Sequence, residues 1–203
     1  LNRRGILAHV QILSQLERNA DAIKLMDDSF GPEAEPALDA LRARLAAGEP
    51  VPFTSVTNAR DGIAEVFFTV ATALNGDADP TYTLLHSQIA SALRPDHTEA
   101  RLLSAAMLED LEQFDLAVEI YGQFKPEDPA FYSAELGRAE ALYALGNKDA
   151  AIEALQALAR GPHAGLITVQ SALADMLRRE ERFTEAVPAY DAAIALAKTP
   201  VRQ

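Results

Sequence analysis

Apolar and polar positions along this chain recur on two scales. Over short stretches, apolar residues return every three or four places, as at Ala151, Ile152, Leu155 and Leu158. That spacing lays one apolar stripe along a helix of 3.6 residues per turn. Over longer stretches the whole pattern returns at steps of 34, 34 and 35 residues. A small residue stands at Ala71, Ala105, Ala139 and Ala174, and leucine follows three places on at Leu74, Leu108, Leu142 and Leu177. Twelve places after each small residue come Thr83, Ala117, Ala151 and Ala186. A period of this length predicts a solenoid, in which each unit buries its apolar face against its neighbours. The expected fold is all-α, with about eleven helices. Essentially no sheet is expected, because the β-branched alternation and hairpin turns of sheet proteins are absent.

Each unit reads as a helical hairpin. In the third, Tyr132 to Leu145 is the first helix, Gly146-Asn147 the turn, and Asp149 to Ala159 the second helix. Glycine and asparagine tolerate the left-handed backbone that ends a helix. Nearer the N-terminus, residues 3–29 read as a degraded hairpin. Ile6, Val10 and Leu13 stripe its first helix, Ala22, Ile23 and Met26 its second, and Glu17-Arg18-Asn19 is the turn. Pro36 to Ala47 is a further helix with Leu38, Leu41 and Leu45 on one face, ended by Gly48-Glu49-Pro50-Val51-Pro52. The expected organisation is an irregular helical region over 1–48, a connector over 49–60, and four repeats within 61–203. Those repeats span about 64–97, 98–131, 132–166 and 167–200. The spacing from Ala22 to Thr83 does not fit the repeat step, so a changed helix angle or joint is expected at the connector. Asn58 or Asp61 is placed to cap the helix that follows.

On these columns the chain resembles the tetratricopeptide (TPR) family. That family's pattern has a large residue at position 4, Leu-Gly or Leu-Ala at 7 and 8, Leu or an aromatic at 11, Ala at 20, an aromatic at 24 and Pro near 32. The first unit offers Phe67, Val70-Ala71, Leu74, Thr83, Ser87 and Pro95, and the second Arg101, Ser104-Ala105, Leu108, Ala117, Tyr121 and Pro129. The third offers Glu135, Arg138-Ala139, Leu142, Ala151, Leu155 and Pro162, and the fourth Gln170, Leu173-Ala174, Leu177, Ala186, Tyr190 and Pro200. Thr83 departs from the small column, and position 4 is polar in three units. The resemblance covers about residues 61–200 and implies a right-handed superhelix of antiparallel hairpins. The segments GIAEVFF, LRPDH, AELGRAEAL and RREERF further resemble the middle of longer tetratricopeptide proteins of alphaproteobacteria. In such proteins an export signal commonly precedes the repeats, so the resemblance implies a periplasmic or exported setting, with a cytoplasmic one left open. The chain starts at Leu1 without a signal-like stretch, and its last repeat has no obvious polar cap. Both ends therefore read as cut from something longer.

Charge narrows the partners. The net charge is −12, and residues 61–203 hold 22 of the 30 acidic groups against 11 of the 18 basic ones. Such a field repels nucleic acid and an anionic membrane surface, and steers a basic or mixed-charge protein inward. The acidity equally serves to keep an alanine-rich surface soluble. No cysteine is present, which excludes thiol nucleophiles and disulfides. No apolar run reaches the roughly 20 residues of a membrane-spanning helix.

Catalytic and metal motifs are missing. His9, His86, His97 and His163 form no short metal-ligand spacing, and His97 and His163 are expected to be solvated. Asn75, Asp77 and Asp79 mimic the start of a calcium loop. Proline at the sixth place and His86 at the twelfth favour a turn and helix cap instead. Gly161 to Gly165 lacks the lysine and preceding strand of a phosphate loop. Neither an enzyme nor a cofactor or metal site is expected.

In the resembled family, positions 2, 5, 9, 12 and 13 of each first helix line the concave side. Here they are Glu65, Phe68, Thr72 and Asn75; Glu99, Leu102, Ala106, Glu109 and Asp110; Ser133, Leu136, Glu140 and Tyr143; and Thr168, Ser171, Asp175, Arg178 and Arg179. Where that family's carboxylate clamp has Lys and Asn, the equivalent places here hold Glu, Leu, Thr or Ala, and only Arg178 and Arg179 are basic. The expectation is an acidic groove with apolar steps at Phe68, Leu102, Leu136 and Tyr143, holding a basic and apolar peptide or protein segment. The alternative is a structural or self-assembly module, with a homodimer formed through uncovered terminal helices such as the one bearing Val187, Ile194 and Leu196.

Overall fold

The computed structural model describes residues 3–31, 36–128 and 130–198. Among them lie eleven helices: α1 Arg3–Gln15, α2 Asn19–Phe30, α3 Pro36–Ala46, α4 Ala59–Leu74, α5 Pro80–Leu93, α6 Thr98–Asp110, α7 Phe114–Tyr121, α8 Phe131–Ala144, α9 Lys148–Arg160, α10 Ile167–Arg179 and α11 Phe183–Lys198. The described residues contain no strand. They group into two compact units that divide after Glu65, within α4. Pro129 and Pro200, two of the columns named above, lie outside the described residues.

The N-terminal unit is built from α1 to α3 around Val10, Leu13, Ala22, Met26, Leu38, Leu45 and Val51. Residues 49–57 form no helix and are tied to α1. The Val51 N–H donates to the Ser14 hydroxyl at 2.9 Å, Gln15 Nε2 donates to the Val51 carbonyl at 2.6 Å, and the Thr54 N–H donates to Gln11 Oε1 at 3.0 Å. Asn58 caps α4 by accepting the Asp61 N–H at 3.0 Å, and the Asp61 carboxylate accepts the Thr57 N–H at 3.0 Å.

The second unit holds the repeat. Its two small columns are buried: Ala71, Ala105, Ala139 and Ala174 against Thr83, Ala117, Ala151 and Ala186. Side chains this small let the two helices of a hairpin cross closely, and larger apolar groups fill the space to either side. Between α5 and α6 the same closeness brings the buried Ser87 and Ser104 hydroxyls to 2.8 Å. Each of these serines also lies within reach of a carbonyl of its own helix, Leu84 at 3.0 Å and Ala100 at 2.9 Å. The polar residues at position 4 hold loops and neighbours in place. Arg101 stacks on Phe124, its guanidinium carbon 4.2 Å from the ring centre; Glu135 pairs with Arg138 through two bonds of 2.7 and 2.6 Å; Gln170 donates to the Ala164 carbonyl at 2.9 Å.

One turn recurs in four hairpins. The N–H groups of Arg18, Gln113, Asn147 and Arg182 donate to the carbonyls of Leu13, Leu108, Leu142 and Leu177 at 2.8–2.9 Å. The residue before each donor is left-handed: Glu17 at φ 59°, Glu112 at 57°, Gly146 at 84° and Glu181 at 56°. This is the Schellman closure of a helix, and it gives the N-terminal hairpin the same turn as the last three repeats. Asn147, expected to share the left-handed role, has φ −82°.

One of the two expectations about histidine is overturned. His97 is buried, not solvated: its Nδ1 caps α6 by accepting the Ala100 N–H at 3.2 Å, and its ring centre lies 4.6 Å from that of Phe68. His163 is half-buried, its ring centre 5.6 Å from that of Tyr132. In the loop that mimics calcium ligation, Asp79 instead caps α5 by accepting the Thr81 N–H at 2.8 Å. That hydrogen bonding holds its carboxyl below the usual range.

Thr83 is buried, and its hydroxyl has no hydrogen-bond partner. Thr83→Val keeps the shape and removes the orphaned group. It should raise stability by about 1 kcal/mol in denaturant unfolding; a loss of stability would show that the hydroxyl is satisfied.

Candidate functional site

The face shared by α6, α8 and α10 carries most of the residues assigned to a groove. The Schellman turn fixes the last turn of each of these helices, so Glu109, Tyr143 and Arg178 fall in one column four places after the small residue. Glu140 and Asp175 stand one place after the small residue, and Asp110 and Arg179 five places after it.

Between α8 and α10 the charges are paired. Arg179 donates to Glu140 at 2.6 Å, and Lys148 forms an ion pair with Glu180 at 2.8 Å. The Tyr143 hydroxyl donates to Glu180 at 2.7 Å, and the cations of Lys148 and Arg179 flank its ring at 5.5 and 5.6 Å from the centre. The Lys148 hydrogen bond is the main cause lowering the Glu180 pKa, and the bond to Glu180 is the main cause raising that of Tyr143. Next to this cluster, the Tyr190 hydroxyl donates to Asp175 at 2.6 Å, and Arg178 donates to that hydroxyl at 3.1 Å.

At the end of α6, Glu109 and Asp110 lack such cations. Glu109 is half-buried, and its Oε1 is shut away from water with no hydrogen-bond partner. Burial pushes its pKa up to about 7. Interaction with the Tyr121 hydroxyl opposes that shift, and the charges of Glu140 and Asp110 add to it. Burial also raises the pKa of Tyr121, reinforced by the Glu109 charge. Tyr121 reaches this position because α8 has glycine opposite it. A Cβ on Gly137 would sit 2.4 Å from Tyr121 Cζ and 2.5 Å from its hydroxyl oxygen.

The remaining assigned residues divide. Leu102, Leu136 and Tyr143 are half-buried, packing on the hydrophobic clusters while keeping some surface. Glu99 is exposed at the start of α6. Phe68 is only 8% exposed and packs with Ala90, Ala100 and His97, so it is core and offers no apolar step. Thr72 is exposed, and its hydroxyl donates to the Thr69 carbonyl at 2.9 Å. Glu65 belongs to the N-terminal unit and is bound by Arg4, with Nε to Oε2 at 3.0 Å. Of the assigned residues, those that share one face are on α6, α8 and α10. Tyr121, Tyr190, Lys148 and Glu180 join it. The repeat could have flagged these four, because Tyr121 and Tyr190 share one column, while Lys148 and Glu180 flank hairpin turns.

The described residues contain no helix long and apolar enough to cross a membrane, and no group of three or more potential metal ligands. No family model and no curated protein matches the chain. Among solved structures it is similar to MamA, residues 41 to the end, from Desulfovibrio magneticus RS-1. Identity is 18%, the match covers 100% of this chain and 99% of that one, and the TM-score is 0.57. It is also similar to a putative kinesin light chain from Podospora anserina with nearly identical TPR-like repeats. There identity is 15%, coverage is 98% of this chain and 97% of that one, and the TM-score is 0.57. The fold is a tetratricopeptide-like helical solenoid.

A carboxyl whose folded pKa is raised favours the protonated state, so its contribution to stability is complete below the unfolded value of 4.5 and is lost as pH rises through about 7. The melting temperature of Glu109→Gln should therefore fall less than that of the parent between about pH 5 and pH 8. Parallel curves for the two proteins would contradict the burial of Glu109. Gly137→Ala forces the Tyr121 ring out of place and should cost roughly 2 kcal/mol; an unchanged unfolding midpoint would show that the ring has room to move.

Proposed function

We propose that the chain is a non-enzymatic protein-interaction scaffold that holds a segment bearing basic and apolar side chains on the face of α6, α8 and α10. The observation that carries this reading is the contrast along that face. Glu140, Asp175 and Glu180 are matched by cations or hydroxyls of the chain itself. Glu109 and Asp110 are left without a cation. A lysine or arginine from a partner would supply the missing charge, and the half-buried Leu102 and Leu136 give its apolar neighbours a surface. Burial makes a carboxylate there costly when alone and strongly attractive to a cation that arrives with its own hydrogen bonds.

Ionised Glu109 is the form that attracts a cation, so capture of a basic segment should strengthen as pH rises through about 7. An array of short synthetic peptides of graded charge and apolar content, probed with the purified chain, tests the reading. Peptides with lysine or arginine beside leucine or phenylalanine should be retained. Glu109→Gln combined with Asp110→Asn should weaken them roughly tenfold or more. Equal retention of acidic peptides, or no change in the double variant, would remove the reading.

A further inference from the structure

The second and third repeats fill one place in their hairpins differently. Three, six and seven places after the second small residue, the second repeat carries Ile120, Gln123 and Phe124, and the third Ala154, Ala157 and Leu158. On the first helices, four places before the small residue, Arg101 of the second repeat corresponds to Glu135 of the third. In the second repeat these side chains close on one another. Ile120 and Phe124 pack in the apolar cluster there, and the Arg101 guanidinium lies over the Phe124 ring. In the third repeat the two alanines stop short, and Glu135 is held by Arg138 through bonds of 2.7 and 2.6 Å. What remains is a cavity of about 130 Å³, lined by Phe131, Glu135, Ala154, Ala157, Leu158 and His163 among others.

The lining sets the chemistry of a guest. Most of it is apolar, and both oxygens of Glu135 are bonded to Arg138, so that carboxylate has no unmatched charge to offer an ion. An apolar cavity of about 150 Å³ takes up one benzene ring, and this one is of the same order. Phe131 and His163, their ring centres 6.2 Å apart, stand beside the space and favour an aromatic neighbour. The second repeat shows that the hairpin accommodates a flat group at this place, since Arg101 lies there on Phe124. We propose that the cavity between α8 and α9 binds a small neutral molecule with a single aromatic ring. The site lies within one hairpin and is independent of the peptide-holding face, which uses Leu136, Glu140 and Tyr143 of α8.

Titration of the nitrogen-15-labelled full chain with benzyl alcohol, followed by amide chemical shifts, tests this. The amides of Ala154, Ala157, Leu158 and His163 should move along saturable curves, with a dissociation constant of about 1 mM or below. Ala154→Ile installs the side chain that the second repeat carries and fills the cavity. Ala157→Leu, at an exposed position, narrows it without entering the core. Each should weaken binding roughly tenfold or more while keeping the parent's circular dichroism spectrum. If Ala154→Ile does not fold, Ala157→Leu decides. Glu109→Gln combined with Asp110→Asn should leave the ring bound as before. Shifts that stay linear up to the solubility limit of the alcohol, or that centre on other residues, would overturn the proposal. So would undiminished binding in a folded variant with the cavity filled or narrowed.

Discussion

Everything in the repeat depends on how closely the two helices of a hairpin can cross. Ala105 meets α7 near Ala117, and Ala139 and Ala174 stand in the same relation to Ala151 and Ala186, all buried. A larger side chain in either column would push the helices apart and lift Leu108, Leu142 and Leu177 off their neighbours. The same leucines supply the carbonyls that the hairpin turn closes on. Packing and turn therefore act on one residue, and the last turn of each first helix is held from both sides.

That rigidity is what turns a column into a surface. With backbone geometry repeated, the sequence varies only the side chain presented, and the column changes from Glu109 through Tyr143 to Arg178. The face is consequently polarised, with Glu109 and Asp110 unmatched at the end of α6 and internally paired charges at α10. A segment lying across it would meet a different chemistry at each step, which is how a repeat of one shape acquires direction and selectivity.

Much of this is legible in the sequence. The small columns, the hairpins and the N-terminal helices follow from apolar periodicity, which depends on backbone geometry alone. The turn was half legible. Gly146 announces a left-handed residue, but Glu17, Glu112 and Glu181 adopt the same conformation against their own preference, held by bonds to carbonyls further back. The site was less legible because its pairings cross repeats. Arg179 reaches Glu140, 39 residues earlier, and Tyr143 reaches Glu180, 37 residues later. A count of charges on one face reads both carboxylates as free and makes that face more acidic than it is. Phe68 misled for a related reason: it occupies an inward column, but the buried His97 at the start of α6 packs over it.

The close crossing is open to one direct measurement. Ala139 is fully buried in the small column, and Ala144, in the same helix, is exposed. Denaturant unfolding of Ala139→Leu beside Ala144→Leu compares the same added volume at the two places. The account predicts a loss of about 1–3 kcal/mol at position 139 and almost none at 144. Equal effects at both positions would mean that the helices do not meet on that column, and the packing described for the repeat would be wrong.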